Sequence, residues 1–142
     1  MSNLSVKSEP MFSSYNLNEK LPNLHESKEM QLDLTSEYWT PTTQGEFKLC
    51  FFQEIKPSFV KDEKSGEPIE LECAFFIAQD KDGVTKTIRN GSVILVSTLA
   101  EYVDSGKLIQ GTPLKLTFTG KRKTSRGNQV DTWSVKPLII NQ

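Results

Sequence analysis

The sequence predicts a mainly β protein in which a single helix interrupts a series of five strands. Two observations support this fold class: several stretches alternate apolar and polar residues with the period of a strand, and turn-forming Gly, Asn and Asp residues separate them. A third is the change to helical spacing between Val93 and Val103. The 142-residue chain, with 36% hydrophobic and 25% charged residues, has the size and composition of one small domain.

The first thirty-one residues differ in composition from the rest of the chain. They are rich in Ser, Asn, Glu and Lys, and their few large apolar residues follow no sustained period. We therefore divide the chain into an N-terminal arm, residues 1–31, and a domain, residues 32–142. Such an arm is either disordered or docked on a neighbouring molecule.

The predicted elements follow the order strand, strand, strand, helix, strand, strand. The helix follows Asn90-Gly91-Ser92, which can cap its start, and precedes Gly106, which suits the position after its end. This order is typical of the OB-fold, a five-stranded Greek-key barrel. An antiparallel sheet with one covering helix is the alternative. The strands are centred on Phe47–Ile55, Ile69–Ile77, Val84–Ile88, Leu114–Phe118 and Val130–Val135.

Alternation along these strands assigns the aromatic residues to two faces. The residues expected in the core are Phe47, Leu49, Phe51 and Ile55 in the first strand, Phe75 in the second, and Leu116, Phe118 and Trp133 in the last two. The same register places Phe52 and Phe76 outside the barrel. An exposed pair of Phe rings indicates base stacking, cover by the arm or a subunit interface, and these three remain open. Trp39 is a further candidate for stacking.

The last two strands enclose the most basic stretch of the chain. Lys121, Arg122, Lys123 and Arg126 place four cations within six positions, next to a Gly-Asn turn. From Arg89 onward there are eight Lys and Arg against three Asp and Glu, whereas residues 1–88 hold nine against fifteen. The net charge of −1 therefore conceals a basic half, and a polyanion is the expected partner of its hairpin.

The stretch Gly-Thr-Pro-Leu-Lys-Leu-Thr-Phe-Thr-Gly-Lys-Arg-Lys-Thr-Ser-Arg-Gly-Asn, followed by Asp-Thr-Trp-Ser-Val, resembles the β4–β5 hairpin of bacteriophage and mobile-element single-stranded DNA-binding proteins of the OB class. The resemblance covers about Leu34 to Pro137. It implies binding of single-stranded DNA with low sequence preference in DNA replication or recombination, with a homo-oligomer as one form. The candidate nucleic-acid-binding residues are Lys115, Lys121, Arg122, Lys123, Arg126, Lys136 and Arg89 for phosphates, with Phe52, Phe76 and Trp39 for bases.

No catalytic residue, metal site or cofactor is predicted. Cys50 and Cys73 are widely spaced within apolar runs, and His25 lies in the arm, so the Cys/His spacing of a zinc site is missing. No Gly-rich phosphate loop indicates a nucleotide substrate, and no apolar run approaches the ~20 residues of a membrane span. We expect a non-enzymatic protein of the cytoplasm, the host cytoplasm if a phage encodes it, with neither a membrane nor a small-molecule substrate as its partner.

A second function, from a different class, is also consistent with the sequence. The arm and the two Phe rings could build an assembly, which would make the protein a structural or interaction module such as a virion component or an inhibitor of a host factor. Binding to oligo-dT that weakens steeply with salt favours the first function, and salt-insensitive self-association favours the second.

Overall fold

The structure, a computed structural model, describes residues 12–62 and 64–141. The fold is mainly β with one α-helix, as the sequence predicts. A short 3-10 helix (Leu24–Glu26) precedes the regular elements. These are β1 (Glu37–Tyr38), β2 (Phe47–Lys61), β3 (Pro68–Gln79), β4 (Thr85–Asn90), α1 (Val93–Asp104), β5 (Pro113–Lys123) and β6 (Gln129–Pro137).

The six strands form one mixed sheet in the order β1-β4-β3-β2-β5-β6. Among the described strands, β1 and β4 pair in parallel and all the other neighbours are antiparallel. The strands β5-β2-β3-β4 have the order of a Greek key, which confirms that part of the prediction. The predicted closure of the sheet into a barrel was wrong, because within the described chain β1 pairs with the edge of β4 that a closing strand would need. The predicted count of five strands was also wrong, because β1 is a sixth.

Helix α1 buries the inner face of the sheet, where it contacts β3 and β6. Leu95 and Leu99 from α1 join Phe52 and Phe76 in the main core cluster. The two Phe rings meet edge to face with centroids 6.2 Å apart, and their exposed fractions are 4% and 0%. The prediction that Phe52 and Phe76 lie outside the fold was therefore wrong.

The predicted register of the first strand was displaced by one residue. Phe47 and Leu49, expected in the core, are 50% and 41% exposed, whereas Cys50 is buried. Both alternating sets of β2 are apolar, so the pattern does not reveal which one the helix will cover. A bulge after Phe52 shifts the strand by one residue, so that the predicted register holds again from there on. Ile55 therefore packs against the core as predicted.

Strand β3 is buried on both of its faces around its centre. Ala74 and Phe76 belong to the main core, while Cys73 and Phe75 form a second cluster with Val60 on the opposite face. The prediction that Phe75 is a core residue is confirmed, as are the core positions of Leu116 and Phe118 on β5. Two-sided burial explains why alternation along β3 could not separate an inside from an outside.

Glycine determines where α1 ends. Gly106 has a φ of +77°, and its N–H donates to the carbonyl oxygen of Val103, while the N–H of Lys107 donates to that of Tyr102. These are the two hydrogen bonds of a Schellman motif, as the predicted helix end requires. Helical spacing predicts that Val93, Val96, Ala100 and Val103 share one face. The buried residues of α1 are instead Leu95 and Leu99, and of the valines Val96 packs against the core, whereas Val93 is 73% exposed.

The described part of the N-terminal arm, residues 12–31, is exposed throughout. Its backbone hydrogen bonds are local apart from one, in which the carbonyl oxygen of Gln31 accepts from the N–H of Phe59. Its exposed apolar side chains are Phe12, Tyr15, Leu17, Leu21, Leu24 and Met30. The rest of the predicted arm, residues 1–11, lies outside the described residues.

These positions generate a test of the register of the sheet. We expect Phe76→Ala to lower the free energy of unfolding by about 3–5 kcal/mol, because it leaves a cavity in the core. Phe47→Ala, on the exposed face, should change that free energy by less than about 0.5 kcal/mol. Urea denaturation of both variants measures the difference, and equal losses would contradict the observed register.

Candidate nucleic-acid interface

The candidate interface begins at the tip of the hairpin formed by β5 and β6. The turn is closed by a hydrogen bond from the N–H of Thr124 to the carbonyl oxygen of Asn128, 2.7 Å long. Gly127 occupies the position with positive φ, +84°, that such a turn requires. Side chains at this tip are exposed, so the cations of Lys121 to Arg126 project from a rigid two-stranded base.

A bulge at Gly120 determines which cation lies on which face of the hairpin. Gly120 has a φ of +112°, and the register of β5 shifts between Phe118 and Gly120. Without this extra residue, alternation would place Arg122 on the inward face with Phe118. With the bulge, Arg122 lies opposite Val130 and therefore on the outer face of the sheet.

Lys121 differs from the other cations of the tip because it faces a carboxylate. Its ammonium nitrogen lies 2.7 Å from Oδ1 of Asp131 on β6. Oδ2 of Asp131 accepts a hydrogen bond from the hydroxyl of Ser92, which precedes α1. Asp131 therefore connects the hairpin to Ser92, the residue before α1. Arg122, Lys123 and Arg126 form no ion pair with any carboxylate that the structure describes.

The outer face, which we define by Phe47, Leu49, Lys115 and Lys136, lies on the side of the sheet opposite α1. The ammonium of Lys115 is 4.5 Å from the centroid of the half-exposed Phe47 ring. Lys115 is also directly opposite Lys136 on β6 and opposite Leu49 on β2. Like charges opposite each other repel, and an anion between them relieves this repulsion.

Glu46 anchors the start of β2, from which Phe47 projects. Its carboxylate accepts hydrogen bonds from the indole nitrogen of Trp39, at 2.9 Å, and from the backbone of Thr42. These hydrogen bonds, that from Trp39 first, hold the pKa of Glu46 below its ordinary value. The backbone of Glu46 also pairs with Phe118 on β5. The position of the Phe47 ring is therefore set by both neighbouring segments.

Two other predicted binding residues, Trp39 and Arg89, are buried in contacts within the protein. Trp39 is only 5% exposed and packs edge to face against Trp133, with ring centroids 5.3 Å apart. Its ring therefore offers no face for a base, and its expected role in stacking was wrong. Arg89 is 8% exposed, donates hydrogen bonds to Ser36 and lies on β4, which β3 and β2 separate from Lys115 on β5, so it does not lie beside Lys115.

Sequence reasoning missed Phe47 as a candidate for base stacking, because it assigned Phe47 to the core. No local signal in the sequence identifies it, because both alternating sets of residues in β2 are apolar. Phe47 and Leu49 also line a recess of about 500 Å³ that includes Lys81. Of the predicted binding residues, Lys115 and Lys136 lie on the outer face, and Arg122, Lys123 and Arg126 lie at the tip.

Three further features of the described residues concern metal ions, membrane crossing and the two cysteines. Residues 12–62 and 64–141 contain no group of three His, Cys, Asp or Glu side chains that could hold a metal ion. None of their helices has the length and apolar character needed to cross a membrane. Burial raises the pKa of the Cys50 thiol to about 12 and, as the largest effect, that of Cys73 to about 11.

Comparisons of the chain with protein-family models, with curated proteins and with solved structures gave no match.

The two buried thiols generate a test of the core around the interface. Because the thiolate is the reactive form and both pKa values are raised, we expect neither Cys50 nor Cys73 to react with a disulfide reagent in the folded protein at pH 8. Both should react once urea unfolds the chain. Rapid labelling of either thiol without denaturant would contradict the observed burial.

Proposed function

We propose that this protein binds single-stranded DNA with low sequence preference along the outer face of the sheet and the hairpin tip. The observation that carries the proposal is the half-exposed ring of Phe47 with the Lys115 ammonium 4.5 Å from its centroid. Binding a single strand without reading its sequence requires aromatic faces for bases and cations for the backbone. The outer face supplies both within one patch.

The cations extend from that patch to the tip of the hairpin. Lys136, Ser134, Thr132 and Val130 alternate along β6 on the outer face, and Arg122 is opposite Val130. The proposed path of the DNA phosphates, which we call the phosphate track, therefore runs from Lys115 and Lys136 along β5 and β6 to the turn. Ser134 lies between the two ends of the track, and its hydroxyl can donate a hydrogen bond to a phosphate oxygen.

The topology supports the same class of function. The Greek-key strands with α1 before β5 resemble an OB-fold that has been left open, and in OB-folds the loop between the last two strands contributes to oligonucleotide binding. The tip of β5 and β6 is the corresponding loop in this chain. We therefore infer a bacteriophage or mobile-element protein that coats single-stranded DNA during replication or recombination.

One observation favours the second candidate function, a structural or protein-interaction module. The arm presents several large apolar side chains to solvent, among them Leu17 at 82% and Leu24 at 76% exposure. Side chains of this kind are available to a partner protein or to a second copy of the chain. Self-association that is insensitive to salt, without binding to oligo-dT, would select this function over the first.

Removing the tip cations should weaken DNA binding through its electrostatic part. Each neutralised phosphate of a single strand contributes about −0.7 to the slope of log affinity against log salt, so three to five contacts give roughly −2 to −3.5. Replacing Arg122, Lys123 and Arg126 with Ser should make the slope less negative by about 2. Fluorescence titration of labelled oligo-dT at several salt concentrations measures it.

A matched control separates local contacts from net charge. Lys20, Lys28 and Lys107 are exposed and lie outside β5 and β6, so replacing them with Ser removes the same charge away from the proposed track. The control should retain the slope of the unaltered protein. If the tip variant and the control behave alike, the hairpin tip makes no specific phosphate contact.

Removing the Phe47 ring should weaken DNA binding without changing its salt dependence. Stacking of one base on an aromatic ring contributes about 1–3 kcal/mol, so we expect Phe47→Ala to weaken oligo-dT affinity roughly five- to a hundredfold. Tyr102→Ala removes an equally exposed ring from α1, on the other side of the sheet, and should leave affinity unchanged. Unchanged affinity of the Phe47 variant would exclude base stacking at this ring.

A further inference from the structure

Arg89 is a buried cation for which the described chain provides no carboxylate partner. Its side chain, on β4, is 8% exposed, and no salt bridge joins it to a described residue. Nη1 donates to the carbonyl oxygen and to the hydroxyl of Ser36, each at 2.7 Å. Nε is buried without any hydrogen-bond partner. A buried charge with an unsatisfied donor is unfavourable, and an anion would relieve it.

Arg89 lines a cleft of about 630 Å³ on the same side of the sheet as Phe75. The segment around Ser36 forms one wall of this cleft, and the end of the β2–β3 hairpin forms the other. Lys61 and Lys64 line it as well, which brings a total of three cations to one concave surface. The ring of Tyr38 faces the guanidinium, with its centroid 5.7 Å from Cζ of Arg89.

Two carboxylates in the cleft are engaged in local turns. Asp33 accepts hydrogen bonds from the backbone and the hydroxyl of Thr35, and Asp62 accepts one from the hydroxyl of Ser65. These hydrogen bonds are the main reason that the pKa of each carboxyl lies below its ordinary value. Neither carboxylate forms an ion pair with Arg89, so the guanidinium retains its capacity for an external anion.

We propose that this cleft binds a phosphate group, with Arg89 as its principal ligand and Lys61 and Lys64 at its rim. Because Nη1 donates to Ser36, Nε–H and Nη2–H remain as the pair of parallel donors that matches phosphate oxygens. A partly enclosed site strengthens such hydrogen bonds. The phosphate belongs either to the end of a nucleic-acid strand or to a free phosphate or mononucleotide. The proposal does not depend on DNA binding by the outer face, since the site lies on β4 and the β2–β3 hairpin.

The test observes Arg89 directly by NMR. The Nε–H signal of a buried arginine is protected from exchange, whereas those of Arg122 and Arg126 are exposed, and loss of the signal in Arg89→Lys assigns it. Titration with inorganic phosphate, at an ionic strength held constant with chloride, should produce a saturable shift of this signal. The absence of a shift, or an equal shift with chloride alone, would overturn the proposal.

Variants at the rim keep the test decisive if Arg89→Lys does not fold. Lys61 and Lys64 are exposed at the rim, and replacing both with Ser should weaken phosphate affinity roughly tenfold while Arg89 remains as reporter. If Arg89→Lys folds, it keeps the charge but loses the paired donors. Its affinity for phosphate should then be lower by a factor of about ten or more. Unchanged affinity in the rim variant would refute the assigned site.

Two further ligands identify the source of the phosphate. Oligo-dT with a 5′-phosphate is compared with the same oligonucleotide bearing a 5′-hydroxyl, and thymidine monophosphate is titrated separately. Inorganic phosphate should shift the Arg89 signal in either case. Tighter binding of the 5′-phosphorylated strand than of thymidine monophosphate assigns a strand end, whereas tighter binding of thymidine monophosphate, with no difference between the two oligonucleotides, assigns a free ligand. The tip variant lacking Arg122, Lys123 and Arg126 should respond to inorganic phosphate as the unaltered protein does, which separates this site from the proposed DNA interface.

Discussion

The packing of α1 against one face of the sheet is the constraint on which the other features of this structure depend. Leu95 and Leu99 cover the strand face that carries Phe52 and Phe76, and all four side chains are buried. Burial of four such side chains contributes on the order of 6–12 kcal/mol before conformational entropy is subtracted. Because side chains alternate along a strand, burying Phe52 leaves the odd-numbered residues at the start of β2 on the other face.

Because α1 covers the face with Phe52 and Phe76, the opposite face at the start of β2 stays exposed, and this is the surface that the proposed function uses. Phe47 and Leu49 remain in contact with solvent, and Leu49 is opposite Lys115 on β5, which in turn is opposite Lys136 on β6. The apolar area of the half-exposed Phe47 ring and the repulsion between Lys115 and Lys136 are both unfavourable for a surface without a ligand, while the contact of the Lys115 ammonium with the Phe47 ring is favourable. A single-stranded polyanion with stackable bases satisfies both features together, which is why we favour DNA over another partner.

The two arginines Arg89 and Arg122 illustrate how the environment separates residues of equal charge. Arg122 is carried to the outer face by the bulge at Gly120 and stands in water, where its charge is available at small energetic cost. Arg89 is enclosed between β4 and the segment around Ser36, where its charge is desolvated. The first suits many transient phosphate contacts, and the second suits one phosphate held in a defined geometry.

The amino-acid sequence by itself determined the order of the elements from β2 to β6, the basic hairpin and the end of α1, because these depend on local signals such as strand alternation, Gly127 and Gly106. It also indicated that Lys115 and Lys136 lie on the two strands that lead to the basic tip of the hairpin. The tertiary structure alone decided which face of β2 is buried, since both of its alternating sets are apolar and only the position of α1 distinguishes them. It likewise decided the burial of Arg89 and the outward position of Arg122, because burial by distant segments and a one-residue bulge leave no period in the sequence.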